Sequence, residues 1–216
     1  MTVNALYAGS LRNLEPGGEK TGIFKQPIDI AEVTGLGING DHQADRRYHG
    51  GPEKAIHQYA LQGYEIIVAE YPQLNGIAVP GSIGENISDP GMSDITVCIG
   101  DSYRIGGVLL QVSQPRSPCW KINHKFGVDK LSMFIEQQRI CGWYYRVLET
   151  GVMRVGDEVE LLERPNEGIS VAWFIEVSKQ HRPNLDALDA LIMCEGLSHE
   201  KKLKLQNRRN YLANKI

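Results

Sequence analysis

The chain has 216 residues, 42% of them hydrophobic, and a formal net charge of -3. That length and apolar content support one substantial domain, alone or with a small appendage, and the charge carries no basic signature of nucleic-acid binding. No apolar run approaches the roughly 20 residues that span a bilayer, and Met1-Thr2-Val3-Asn4-Ala5 lacks the basic and apolar regions of a signal peptide, so no membrane contact and a cytoplasmic location are expected. The four cysteines, Cys98, Cys119, Cys141 and Cys194, are widely spaced with no C-x-x-C pair. That argues against a zinc ribbon or a thioredoxin-like motif and predicts free thiols in a reducing compartment.

Residues 3–12 read as a strand and turn, followed by a loop carrying Pro16-Gly17-Gly18-Glu19. Residues 28–33 alternate apolar and polar, as a half-buried strand does. Gly35-Leu36-Gly37-Ile38-Asn39-Gly40 then matches G-x-G-x-x-G letter for letter. A dinucleotide site needs a helix opening within those glycines, and the residues that follow, 41–47, have no apolar face. The stretch therefore reads as a glycine-rich loop between strands, and no NAD or flavin site is expected. Gly50-Gly51-Pro52-Glu53 predicts a helix start, with Ile56, Tyr59, Ala60, Gly63 and Ile67 as its buried stripe and Pro72 closing it.

Residues 81–88 form a further glycine-bearing loop, and residues 95–99, 101–105 and 108–112 read as short strands turning at Gly100 and Gly106-Gly107. After a polar turn, residues 128–139 are predicted helical, with Leu131, Phe134 and Ile135 as the apolar face. Residues 143–148 and 158–162 return to strand. The cluster Pro165-Asn166-Glu167-Gly168 marks a boundary between a β-rich domain (1–164) and a three-helix unit (165–216). In that unit Ser170 caps residues 171–177. Leu185, Leu188, Leu191 and Ile192 mark a second helix ending at Gly196, and Ser198 caps residues 199–212. Lys201, Lys202, Lys204, Arg208 and Arg209 give the last helix a basic face, read as a solubilising surface or a contact for an acidic partner. The fold class is mainly β with α, a barrel or sandwich of short strands with helical insertions and a small all-α tail.

Three constellations carry chemistry. The first is Gln114-Pro115-Arg116-Ser117-Pro118-Cys119-Trp120-Lys121, where two prolines stiffen a corner at a strand end. Arg116 and Lys121 flank Cys119, and nearby cations favour a nucleophilic, metal-ready thiolate. A cysteine there also fits a small buried hydrophobe. The second is Arg46, Arg47, His49, Gly50, Gly51 and Lys54, in a loop entering the predicted helix start, a setting suited to an oxyanion or phosphate; a solvated face is the plainer alternative. The third is Glu85 with Asn86, able to hydrogen-bond a ring or a metal-bound oxygen, or simply to form a turn.

The segment QPRSPCWKI resembles the cysteine segment of the MOSC domain family, related to the C-terminal part of molybdenum-cofactor sulfurase. GDHQADRRYHGGPEKAIHQY, GENIS and CGWYYRVLETGVMRVGDEVELLER fit the same family in the same order, and nearly the whole chain resembles the YiiM-like bacterial subgroup. The resemblance implies a MOSC β-barrel and a molybdenum cofactor whose metal is held by Cys119. It places the cofactor's phosphate against residues 46–54, with Arg46, Arg47, Gly50, Gly51, Lys54, Asn86, Arg116, Ser117 and Lys121 as cofactor-binding positions. The implied activity is reduction of N-hydroxylated compounds, such as 6-hydroxylaminopurine, to amines, with His49 or Glu85 supplying protons. Electrons are expected from a separate reductase, because the sequence shows no dinucleotide, iron–sulfur or haem motif.

Other readings remain open: a persulfide carrier using Cys119, a non-catalytic cofactor-binding module, and a cysteine hydrolase pairing Cys119 with His49. Pyridoxal phosphate, associated with the sulfurase, is disfavoured because no lysine stands out as a Schiff-base site.

Overall fold

The structure, a computed structural model, describes residues 1–214. Its elements in chain order are β1 (Ala5–Ala8), β2 (Arg12–Leu14), β3 (Glu19–Thr21), β4 (Gln26–Ile28), β5 (Ile30–Thr34), β6 (Gly37–Ile38), α1 (Arg46–His49), β7 (Ile56–Ala60), α2 (Leu61–Glu70) and β8 (Ile87–Asp89). There follow β9 (Ser102–Ile105), β10 (Val108–Pro115), α3 (Trp120–Phe126), α4 (Leu131–Gln137), β11 (Trp143–Glu149), β12 (Gly151–Arg154) and β13 (Val159–Glu163). The chain closes on α5 (Val171–Lys179), α6 (Leu185–Met193) and α7 (His199–Ala213).

Eight strands form one curled sheet in the order β13-β9-β10-β11-β7-β8-β1-β4, open at β13 and β4 and therefore a half-barrel. A smaller sheet, β12-β5-β6, and the β2-β3 hairpin complete the β structure. The mixed class expected from the sequence is the class observed. The glycine-rich stretch is the turn of the β5–β6 hairpin, with Thr34 opposite Gly37.

The helix expected from Pro52 is not there. Residues Pro52–Lys54 make one 3-10 turn, and residues 56–60 are the central strand β7, antiparallel to β11 and parallel to β8. All five residues of β7 are buried. A strand covered on both faces loses its period of two, so its apolar residues ran on into the true stripe of α2 and imitated a longer helix. The strand expected at 95–99 is a turn segment whose only ladder contact is an isolated bridge from Cys98 to Ser170. The polar residues after Cys119 form α3, closed by Gly127 in the left-handed region. Ser170 and Ser198 cap α5 and α7 as expected.

One apolar core runs from the sheet into the C-terminal helices. It joins Ile99, Leu110 and Trp143 to Val171, Phe174 and Leu188. Leu6, Ile56 and Leu110 are fully buried, and each such side chain contributes about 1.5–3 kcal/mol. Among the described residues no helix is long and apolar enough to cross a membrane.

Candidate functional site

The site is built at the end of β10. A bulge between Val112 and Gln114 turns Ser113 out of register, and its hydroxyl lies 2.5 Å from the Glu53 carbonyl and 3.0 Å from that of Tyr144. Bulges of this kind re-aim the chain beyond them. The backbone N–H of Arg116 then donates to the Gly142 carbonyl at 3.0 Å, and the Gly142 N–H donates to buried Asp94 at 2.8 Å. Gly142 has φ +72, and a Cβ there would collide with the Gln58 carbonyl oxygen, so only glycine serves this crossing. Beyond Pro118, Cys119 takes extended backbone (φ -100, ψ 146) at the N-cap of α3, half-buried, with its side chain uncommitted to the cap.

Cys119 opens onto a cleft whose walls include Arg116, Lys121, Lys54, His49 and Tyr144. Arg116 is buried, its Nη2 3.4 Å from the Ile83 carbonyl and its Nη1 without a partner. Among the described residues no carboxylate forms an ion pair with it. Lys121 Nζ reaches the Lys20 carbonyl at 2.6 Å and fastens α3 to the β2–β3 hairpin. Lys54 pairs with Glu200 of α7 at 3.1 Å. His49 Nδ1 faces the Tyr144 hydroxyl at 3.4 Å. Burial, reinforced by the charges of Arg116, Lys121 and Lys54, pushes His49 down to about 4.

Another part of the cleft lining is a hydrogen-bonded network. Lys25 pairs with Asp41 at 2.5 Å, both buried. Asp41 also accepts from the Asn86 amide at 3.0 Å, and the Asn86 side-chain oxygen accepts from the His57 N–H at 3.1 Å. His57 is buried with Nε2 unpartnered, and burial followed by the Arg116 charge holds it well below the usual histidine range. The cleft thus joins a thiol, an uncompensated guanidinium and two further cations to neutral imidazoles. Its chemistry favours an anion bearing a soft, thiol-binding centre.

The MOSC domain family matches residues 45–160. The YiiM protein of Escherichia coli is 33% identical over 98% of this chain and 93% of its own length. The chain belongs to the MOSC domain family.

The YflK protein of Bacillus subtilis is 35% identical over 98% of this chain and 96% of its own. The crystal structure of the Escherichia coli YiiM superposes with a TM-score of 0.82 at 27% identity, covering 98% of this chain and 94% of that one. A longer Gibberella moniliformis protein named a reductase is 38% identical over 88% of this chain, which matches 34% of its length. As a YiiM-like MOSC chain, this is a molybdenum-cofactor-associated domain.

The MOSC fold brings Cys119, Arg116, Lys121, Lys54, His49 and Asn86 to the cleft. The other expected positions fall elsewhere. Glu85 lines no part of the cleft; fully buried, it accepts from the Tyr64 hydroxyl (2.5 Å), the Gly81 N–H (2.6 Å) and the Ser88 hydroxyl (2.8 Å), and so shapes the loop of residues 81–88. Arg46 and Arg47 are exposed, and Arg47 is engaged with Asp45. Gly50 and Gly51 lead into a 3-10 turn followed by a strand, which removes the helix end expected to receive a phosphate. Ser117 turns to Lys201 of α7, 3.3 Å away.

His57, Tyr144 and Lys25 were not anticipated. The first two sit on β7 and β11, whose inward faces would have flagged them once both were recognised as paired strands. Lys25 and Asp41 meet across 16 positions of chain, with no local signal.

Proposed function

We propose that this MOSC chain is a molybdenum-dependent oxidoreductase that reduces N-hydroxylated compounds to amines, with Cys119 as the protein's thiol ligand to the metal. The observation that carries the reading is the pairing of half-buried Cys119 with Arg116, a buried guanidinium lacking a carboxylate. A molybdenum cofactor is anionic and metal-bearing, and the residues present fit it. Arg116, Lys54 and Lys121 would receive its negative charge, and Cys119 would offer the metal one soft ligand. When bound, the cofactor supplies two-electron reduction with affinity for the oxygen of an N–OH group.

The chain's own residues hold, orient and protonate. His49, pushed to about 4, is neutral at neutral pH, so it acts as a hydrogen-bond partner of Tyr144 rather than as a reserve of charge. Burial raises the Tyr144 phenol, which stays protonated and able to donate into the cleft. A relative named a reductase supports the reaction class. Electrons would come from a separate flavin or iron–sulfur partner, as the sequence argument requires.

The test is molybdenum content after expression in a cofactor-competent host. Wild type should retain the metal and Cys119→Ser should not, while Cys98→Ser and Cys141→Ser retain it. Loaded protein should reduce 6-hydroxylaminopurine with reduced viologen and not with NADH alone. Metal retention by Cys119→Ser would overturn the ligand assignment. Full loading without turnover by any donor would favour the carrier or binding-module reading.

A further inference from the structure

The residues of the cleft wall are braced from outside the half-barrel. Helix α7 begins at Ser198, fully buried, whose hydroxyl donates to the Gln114 side-chain oxygen at 2.6 Å and whose N–H donates to the Ser113 carbonyl at 2.9 Å. Two residues on, the Glu200 carboxylate bridges Lys54 Nζ (3.1 Å) and Lys204 Nζ (2.6 Å). Lys201 Nζ lies 3.3 Å from the Ser117 hydroxyl. One turn of a C-terminal helix therefore touches both the cysteine corner and the lysine of the cleft wall. The basic face read from the sequence is largely engaged within the chain, since Arg208 binds the Ser178 and Gln180 carbonyls and Arg209 pairs with Asp189 at 2.9 Å.

Lys54 matters here because its side chain is 9% exposed, and an ammonium so buried needs a negative neighbour. Glu200 is that neighbour in the free chain. Its carboxyl, held down to about 2 chiefly by Lys204 and then Lys54, is ionised at every working pH. Any anion that reaches Lys54 meets this carboxylate as a like charge a few ångströms away.

We propose that Glu200 is a built-in counter-ion and competitor for Lys54, so that the first turn of α7 sets how tightly the cleft holds an anion. The inference rests on the reading of the cleft as an anion site. It makes Glu200 a positioning residue acting through Lys54, and gives the C-terminal helices a part in binding that the motif-bearing segments do not contain.

The experiment is calorimetric titration of inorganic phosphate into four full-length proteins: wild type, Glu200→Gln, Lys54→Met and the double variant. Glu200 is half-exposed, so its neutral isostere leaves the core intact. Glu200→Gln should tighten phosphate roughly three- to tenfold, the size expected for one partly screened like charge, and Lys54→Met should weaken it. In the Lys54→Met background Glu200→Gln should add nothing. Unchanged or weaker binding by Glu200→Gln, tightening that survives loss of Lys54, or no phosphate binding to any of the four would overturn the proposal. The metal content of Cys119→Ser is a separate readout, so loss of the molybdenum assignment leaves this cycle to stand or fall by itself.

Discussion

Lys25 and Arg116 are two cations buried in the walls of one cleft, and they are satisfied in opposite ways. Lys25 has Asp41 at 2.5 Å, with 4% and 1% of the two side chains exposed. Burial still lowers the Lys25 ammonium by more than Asp41 raises it, so this pair closes a cost rather than adding a surplus. Arg116 is 6% exposed, contacts the Ile83 carbonyl at 3.4 Å, and leaves Nη1 empty. The Lys25 wall is a strut complete in itself. The Arg116 wall carries a buried charge with no carboxylate partner among the described residues, and that difference marks where an anion would bind.

The largest effect should follow from opening the closed side. Asp41→Asn strips the carboxylate that Lys25, Gly9, Gln43 and Asn86 share, and breaking a buried pair from one side costs about 3–5 kcal/mol. Denaturant unfolding should show that loss. Arg116→Met should do the reverse to stability, because it removes an uncompensated buried charge; Tm should hold or rise while phosphate affinity falls more than about tenfold. Equal destabilisation by the two variants would erase the contrast between the walls.

The charge excess should also show in pH dependence. His49 sits at about 4 in the folded chain against the usual 6.5, so the unfolded chain binds more protons between those values. Stability from this group is complete above pH 6.5 and is lost as pH falls toward 4. Asp94 works against it: burial raises its carboxyl to about 7, so its contribution is complete below the ordinary value of 3.8 and is lost as pH rises through 7. His49→Gln should flatten the acid-side fall in urea midpoint, and Asp94→Asn should flatten the neutral-side fall. In wild type, phosphate binding should raise the His49 titration point measured by NMR. An unmoved His49 would mean that the anion does not lie against this cation cluster.

Much of this was legible in the sequence, for reasons particular to each element. The serine caps of α5 and α7 are local chemistry, and both helices start where the caps predicted. The proline-stiffened corner at Cys119 is also local, and the structure puts that residue in the lining of the cleft. Strand β7 was misread because burial on both faces removes the period that identifies a strand, and the supposed phosphate-binding helix end fell with it. Glu85 looks chemical because its motif does; its hydrogen bonds from Tyr64 of α2, Gly81 and Ser88 fasten the loop to that helix and to itself, and its second oxygen is buried without a partner. The Lys25–Asp41 pair and the Lys54–Glu200 contact, which spans 146 positions, belong to tertiary structure and leave no mark in any window of sequence.

Arg47 gives the smallest expected effect and the sharpest check on whether burial, and not the mere presence of a cation, makes the site. By sequence it belonged to the same basic loop as Lys54. In the structure its side chain is 82% exposed, forms hydrogen bonds with Asp45 at 2.7 and 3.0 Å, and lies over the Tyr48 ring at 5.7 Å. Asp45, held at about 2 mainly by Arg47, also caps α1 through the Arg47 N–H, and that backbone contact survives loss of the side chain. Exposed pairs of this kind are screened by water and salt. Arg47→Ala should therefore leave Tm unresolved from wild type. Because Arg47 masks an acidic group at the cleft edge, phosphate affinity should fall, but by less than about twofold, against more than about tenfold for Arg116→Met. Comparable losses from the exposed and the buried arginine would mean that net charge alone recruits the anion, and the unpartnered guanidinium would lose its standing as the feature that marks the site.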